Sequence, residues 1–177
     1  MNWNPFRRKT DEVDPVVDFT LSDLKPGYVV DYDLKTWKVT AQNHYDFDGD
    51  RVDEWELTCA DEVMYLDREE DDAICWTISR KVPVSRIDGD PGSHIVENED
   101  PPEEVTCDGV TYYAESSDAG EFYKNGEGPP RELITWEYLD DSERKTLTIE
   151  QWGEDDFEAS IGEIVEEYQF TDILPTE

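Results

Sequence analysis

The sequence predicts an all-β protein: two pseudo-repeated antiparallel units forming a sandwich or partly open barrels, with at most one short helix. Three observations predict it. Short segments such as Glu54-Trp55-Glu56-Leu57-Thr58-Cys59 alternate polar and apolar residues, the period of a half-buried strand. No stretch sustains a long apolar period of 3.6 residues. Turn-forming residues punctuate the chain between these segments, as they do in sandwiches and barrels.

Residues 1–20 read as a flexible N-terminal tail, because Pro5 and Pro15 break regularity and no apolar period is present. A first β unit follows over 21–87. Leu24-Lys25-Pro26-Gly27 is a turn, and Tyr28 to Tyr32 a strand. Asp33-Leu34-Lys35 turns the chain into a strand over Thr36 to Thr40. Strands are expected at Glu54 to Cys59, Val63 to Asp67 and Ile74 to Ile78, with an acidic loop from Arg68 to Asp72. Residues 88–104, rich in Asp, Gly and Pro, form a turn-rich connector. The second unit occupies 105–177. Val105-Thr106-Cys107 and Thr111 to Ala114 flank an Asp108-Gly109 turn, a strong hairpin signal. Leu133 to Tyr138, Thr146 to Glu150 and Phe157 to Gly162 alternate. Glu167 to Leu174 reads as a last strand, although Ile161, Ile164, Val165 and Tyr168 would also share one helix face.

The halves match in order. Asp33 with Trp37 lies over Asp108 with Tyr112, and Trp55-Glu56-Leu57 over Trp136-Glu137-Tyr138. Met64-Tyr65-Leu66-Asp67 lies over Leu147-Thr148-Ile149-Glu150, and Ile74 to Ile78 over Phe157 to Ile161. The offset grows along the chain, as loops of different length require. An internal duplication accounts for this.

Asp and Glu number 47 against 15 Lys and Arg, a net charge of −32. The acids are dispersed, as on a solvated acidic surface, and a folded core is implied by six Trp and nine Tyr. Self-repulsion on this scale is relieved by concentrated salt, so a halophilic, salt-adapted cytoplasm is expected. An acidic surface repels phosphate, which argues against nucleic acid as a partner. No apolar run approaches the roughly 20 residues of a membrane helix, and no secretory signal is recognised. Cys59, Cys75 and Cys107 are odd in number and lack a CxxC pair, so free thiols in a reducing compartment are expected.

Candidate sites are few. Asp46, Asp48 and Asp50 present alternate carboxylates, as hard cations prefer. The EF-hand spacing fails, since Arg51 stands where glycine belongs and Leu57 where the closing Glu belongs. A hairpin tip is the simpler reading. His44 and His94 have no patterned partner, and no nucleophile or phosphate-loop motif occurs. Catalytic residues, cofactors and a firm metal site are therefore not assigned. Trp37, Trp55, Trp76, Trp136 and Trp152 sit on strand patterns and read as core. Trp3, Phe6, Arg7, Arg8 and Lys9 combine aromatic and basic character, a candidate docking patch for an anionic membrane surface.

The segment Leu24-Lys25-Pro26-Gly27-Tyr28-Val29-Val30, followed by Thr36-Trp37-Lys38-Val39, resembles the opening of the bacterial and archaeal domain of unknown function 4178. Asp53-Glu54-Trp55-Glu56-Leu57 fits the same pattern. Trp136-Glu137-Tyr138, Leu147 to Gly153 and Glu158 to Gly162 are similar to its close. The resemblance covers about residues 21–175 and departs at Leu34-Lys35, where the family often carries a turn glycine. It implies no catalytic residue. It does imply context, because such domains occur beside phage-shock-like and spermidine-synthase-like membrane proteins. The leading expectation is a non-catalytic cytoplasmic interaction module. It would serve as an accessory of a membrane or envelope-stress system, with a protein partner and peripheral contact at the inner membrane face. The alternative is a sensor or enzyme binding a small cationic ligand such as a polyamine, held by carboxylates and aromatic faces.

Overall fold

Alternation along the chain becomes one continuous antiparallel sheet. The computed structural model describes residues 18–176. The strands are β1 (Tyr28–Tyr32), β2 (Lys35–Phe47), β3 (Asp50–Cys59), β4 (Glu62–Glu70) and β5 (Ile74–Val82). A helix, α1 (Pro91–Asn98), intervenes before β6 (Glu104–Cys107), β7 (Val110–Tyr123), β8 (Arg131–Asp140), β9 (Lys145–Gly153), β10 (Asp156–Val165) and β11 (Thr171–Pro175). The sheet order is β11-β1-β2-β3-β4-β5-β10-β9-β8-β7-β6, and β2 also pairs with β7. That extra pairing closes the eight strands from β2 to β7 into a ring.

Two meanders of like topology build this sheet. Each runs outward in strand order from the β5–β10 junction. At the junction Ser79 of β5 pairs with Gly162 of β10. β2 bulges between Val39 and Ala41, and β7 between Ala114 and Ser116, at equivalent positions. The ring is thus organised about a pseudo-two-fold axis through the β5–β10 and β2–β7 contacts.

One face of each meander is apolar. Trp37, Val39, Trp55, Leu57, Met64, Leu66, Trp76 and Ile78 form one core with Leu21, Val30 and Phe170. Tyr112, Trp136, Tyr138, Leu147, Ile149 and Ala159 form the other with Ile87, Ile95 and Val105. β11 pairs with β1, so the end of the chain extends the sheet of the first half. The opposite faces turn toward the ring interior.

Several local features differ from the sequence reading. The connector holds α1, which starts on Pro91 after the Asp90 cap and buries Ile95. Arg68 to Glu70 belong to β4 and are not a loop. The helical option near Ile161 gives way to β10, which runs to Val165; a single 3₁₀ turn, Glu167–Gln169, then precedes β11. β2 and β7 extend to Phe47 and Tyr123, well past their alternating segments. Their outer parts pair with each other to close the ring, so their residues follow no simple in-and-out pattern.

Candidate functional site

The interior of the ring is polar. Along β3 and β4, Trp55, Leu57, Met64 and Leu66 enter a core, while the alternate Glu54, Tyr65 and Asp67 line a cavity that opens to solvent beside Glu69, Glu115 and Glu137. Glu137 on β8 and Glu150 on β9 face it from the second half, beside the hydroxyls of Thr77, Ser79, Thr148 and Ser160. Tyr45 and Phe47 of β2 close one side. The volume is about 230 Å³. At ~30 Å³ per water that is room for a small ligand. A larger hollow of about 970 Å³, lined by Asp46, Gly120, Glu132 and Trp152, lies across the β2, β7, β8 and β9 surface. It is a shallower, more open groove, so the ring cavity is the stronger binding candidate.

One lysine reaches the cavity acids. Lys81 Nζ donates to Glu150 Oε2 at 2.6 Å and to Glu158 Oε2 at 2.7 Å, and lies 5.7 Å from the Tyr65 ring centre. Burial pulls its pKa down, but the two carboxylates outweigh burial and hold it above its ordinary value. Glu54 accepts from Asn43 Nδ2 at 2.7 Å. The Tyr45 hydroxyl sits 3.0 Å from Glu150 Oε1 and 3.2 Å from Glu54 Oε2. A hydroxyl has one proton for these two acceptors. It can serve only one of them at a time, and a proton held on Glu54 would let both contacts form.

Burial favours that protonated form. It raises the pKa of Glu54 against the lowering effect of Asn43. Asp67 is pushed well above the ordinary carboxylate range by burial, then by the charges of Glu54, Glu150 and Glu137. Glu137 is raised by burial and by Glu69. Glu54 and Asp67 pair directly across β3 and β4. Two carboxylates at that separation cannot both ionise cheaply. Asp67 forms no hydrogen bond or ion pair among the described residues, and its Oδ1 is sealed from solvent.

The residues singled out by sequence fare differently. Asp48 and Gly49 form the two-residue β2–β3 turn with φ of 57° and 105°, and Asp46 Oδ1 accepts from Gly49 N at 2.8 Å. Asp46 thus braces a hairpin tip. Among the described residues no three His, Cys, Asp or Glu side chains gather as a metal site. Trp3, Phe6, Arg7, Arg8 and Lys9 lie outside the described residues. Trp37, Trp55, Trp76 and Trp136 are buried. Trp152 is only half-buried; its ring is capped by Arg131 at 4.5 Å, and its Nε1 has no partner among the described residues. Cys107 is buried, whereas Cys59 and Cys75 are half-buried, and all three are free thiols. Glu54, Asp67, Glu137 and Glu150 escaped selection individually because carboxylates abound in this sequence. The available signal was their place as polar residues between core residues of adjacent strands.

Residues 25–167 match the family described as Domain of unknown function (DUF4178). The chain belongs to this family. An uncharacterized protein of Aquifex aeolicus (strain VF5) is 29% identical over 155 residues, covering 88% of this chain and 85% of the relative. No solved structure matches. The DUF4178 region begins in the turn before β1 and ends in the 3₁₀ turn before β11, so it spans the whole ring and every cavity acid. Among the described residues no helix is long and apolar enough to cross a membrane.

Proposed function

We propose that this DUF4178 chain is a non-catalytic sensor that binds a small organic cation, such as a polyamine, inside the ring. One observation carries the reading. The ring cavity gathers Glu54, Asp67, Glu137 and Glu150 with the rings of Tyr45 and Tyr65, and among its described lining residues Lys81 is the sole cation. Organic ammonium groups suit such a place. They pair with carboxylates, lie against aromatic faces and lose less on dehydration than a compact metal ion. The test is a thermal-shift titration with spermidine beside a KCl series of equal ionic strength. The expected result is a larger upward shift with spermidine. Equal shifts would discard the reading.

A second reading keeps the ring as an interaction module for a protein of a membrane-maintenance complex, acting in a salt-adapted cytoplasm. The end strand β11 supports it, paired on one side only among the described residues, whereas the outer edge of β6 is met by the Ile87–Cys107 bridge. Open strand edges accept a further strand, and the acidic field would steer a basic partner toward them. A pull-down from native cells at physiological salt tests it; recovery of no membrane-associated partner counts against it.

A further inference from the structure

Resting on the cation-binding reading, we propose that Asp67 seats the ammonium group of an amine ligand, which enters as the Asp67 carboxyl proton leaves to solvent. The pseudo-two-fold organisation carries the argument. Asp67 and Glu150 occupy equivalent positions on β4 and β9. Glu150 has its ammonium: Lys81 extends from β5, past β10, to reach β9. Thr77 faces Asp67 across the ladder as Glu158 faces Glu150, so the counterpart of Lys81 on β10 is Gly162, which has no side chain. Ile164 pairs with Thr77, and Thr77 pairs with Asp67. Neither Gly162 nor Ile164, the cavity residue beside it on β10, supplies the charge that Lys81 supplies on the other side. One half of the cavity is therefore complete, and the other lacks a cation opposite an unpartnered, buried carboxyl oxygen.

The groups around Asp67 fix the sense of the exchange. Acids face it from each side: Glu54 on β3, Glu137 on β8 and Glu150 on β9, with Glu69 and Glu115 at the cavity wall. Tyr45, Tyr65 and Cys75 hold their protons more firmly than usual, chiefly through burial, and stay neutral near pH 7. The cation Lys81 is committed to Glu150 and Glu158. In the empty site no cation contacts Asp67, and burial with the neighbouring acids disfavours its ionised form. An arriving ammonium supplies the counter-charge. One positive charge enters, one proton departs, and the cavity charge is unchanged. Thr77, directly across the β4–β5 ladder, offers a neutral oxygen for a remaining ammonium hydrogen.

The experiment is calorimetric titration of the full chain with spermidine near pH 7, at constant ionic strength, in two buffers of different ionisation enthalpy. Wild type is expected to bind and to release about one proton per ligand. Asp67→Asn keeps the side-chain shape but removes the exchangeable proton. Its affinity should fall about tenfold or more, with the proton release lost. Ile164→Lys supplies the missing ammonium from the chain itself, and should abolish binding while retaining or raising the unfolding temperature. Either variant tests the placement if the other fails to fold. No binding by wild type overturns the cation-binding reading and this placement with it. Binding that survives both substitutions, or wild-type binding without proton release, overturns only the placement.

Discussion

Asp67 and Gly162 show how single residues set the terms of this ring. The Asp67 carboxyl is raised above its ordinary value of 3.8 by burial and by neighbouring acids. A raised folded-state pKa contributes stability that is full below the unfolded value and lost as pH rises through the folded one. Glu54 and Glu137 act in the same sense. Asp140 acts in the opposite sense, because the Lys145 amide and Ser142 hydroxyl hold it low; its contribution is lost only as pH falls below about 4. His44, lowered by burial and by Arg51, also acts in the opposite sense near neutral pH, but it is one group against three cavity acids, which therefore govern above about 4. Without ligand, the unfolding temperature should fall between pH 5 and 8, and fall less steeply in Asp67→Asn. Parallel thermal-unfolding curves at fixed KCl would contradict this. Gly162 is constrained by space. A Cβ there would collide with the Ile78 carbonyl oxygen and lie 2.9 Å from Ser79 Cβ, both across the β5–β10 junction. Backbone must move to admit it, so Gly162→Ala should cost about 1–3 kcal/mol in denaturant titration. A variant as stable as wild type would mean that the junction yields.

The elements were legible in proportion to how one-sided their burial is. β1, β3, β8 and β9 each place one apolar row in a core, so their alternation announces them. α1 was hidden by its own start signal. Asp90-Pro91-Gly92-Ser93 reads as a turn, yet Asp90 is the N-cap, accepting from Ser93 N at 3.2 Å, and Pro91 suits the first helical position. The outer halves of β2 and β7 were hidden because they face a seam between the repeats. That seam is the short ladder from His44↔Tyr123 to Asp46↔Glu121, whereas the β5–β10 junction runs from Ala159↔Val82 to Val165↔Trp76. The seam should open first. Gly120 allows it to close: a Cβ there would stand 2.6 Å from the Asp46 carbonyl oxygen and 2.5 Å from Phe47 Cδ1. Gly120→Ala should therefore speed amide exchange at residues 44–46 and 121–123, with little change across β5 and β10. Uniform acceleration would show that the ring unfolds as one unit. Tyr45, in the seam, also bonds two cavity acids, so opening the seam would disturb the cavity wall.

At the scale of the molecule, the repeat was readable in sequence because core rows such as Trp55-Glu56-Leu57 and Trp136-Glu137-Tyr138 must keep their spacing. The cavity was not, because it arises only when two polar faces meet across the ring. The same asymmetry governs charge. Fifteen basic residues cannot neutralise 47 acids, and the remaining charge of −32 surrounds a protein of 177 residues. Salt acts on this in two opposing ways. It weakens exposed ion pairs such as Lys35–Glu62 and Arg86–Asp108, each contributing about 0–1 kcal/mol. It also screens repulsion among the uncompensated acids, with a reach falling from about 10 Å at 0.1 M to about 3 Å at 1 M. The second effect wins, because the unpaired acids far outnumber the pairs and their repulsion is released when the chain expands. The contact of Lys81 with the buried Glu150 is screened less and persists. The unfolding midpoint should therefore rise continuously from dilute buffer to molar KCl, a salt chosen so that strongly excluded anions do not add their own effect. A flat or falling midpoint would mean that packing of the two cores, and not relief of surface repulsion, sets the stability of the ring.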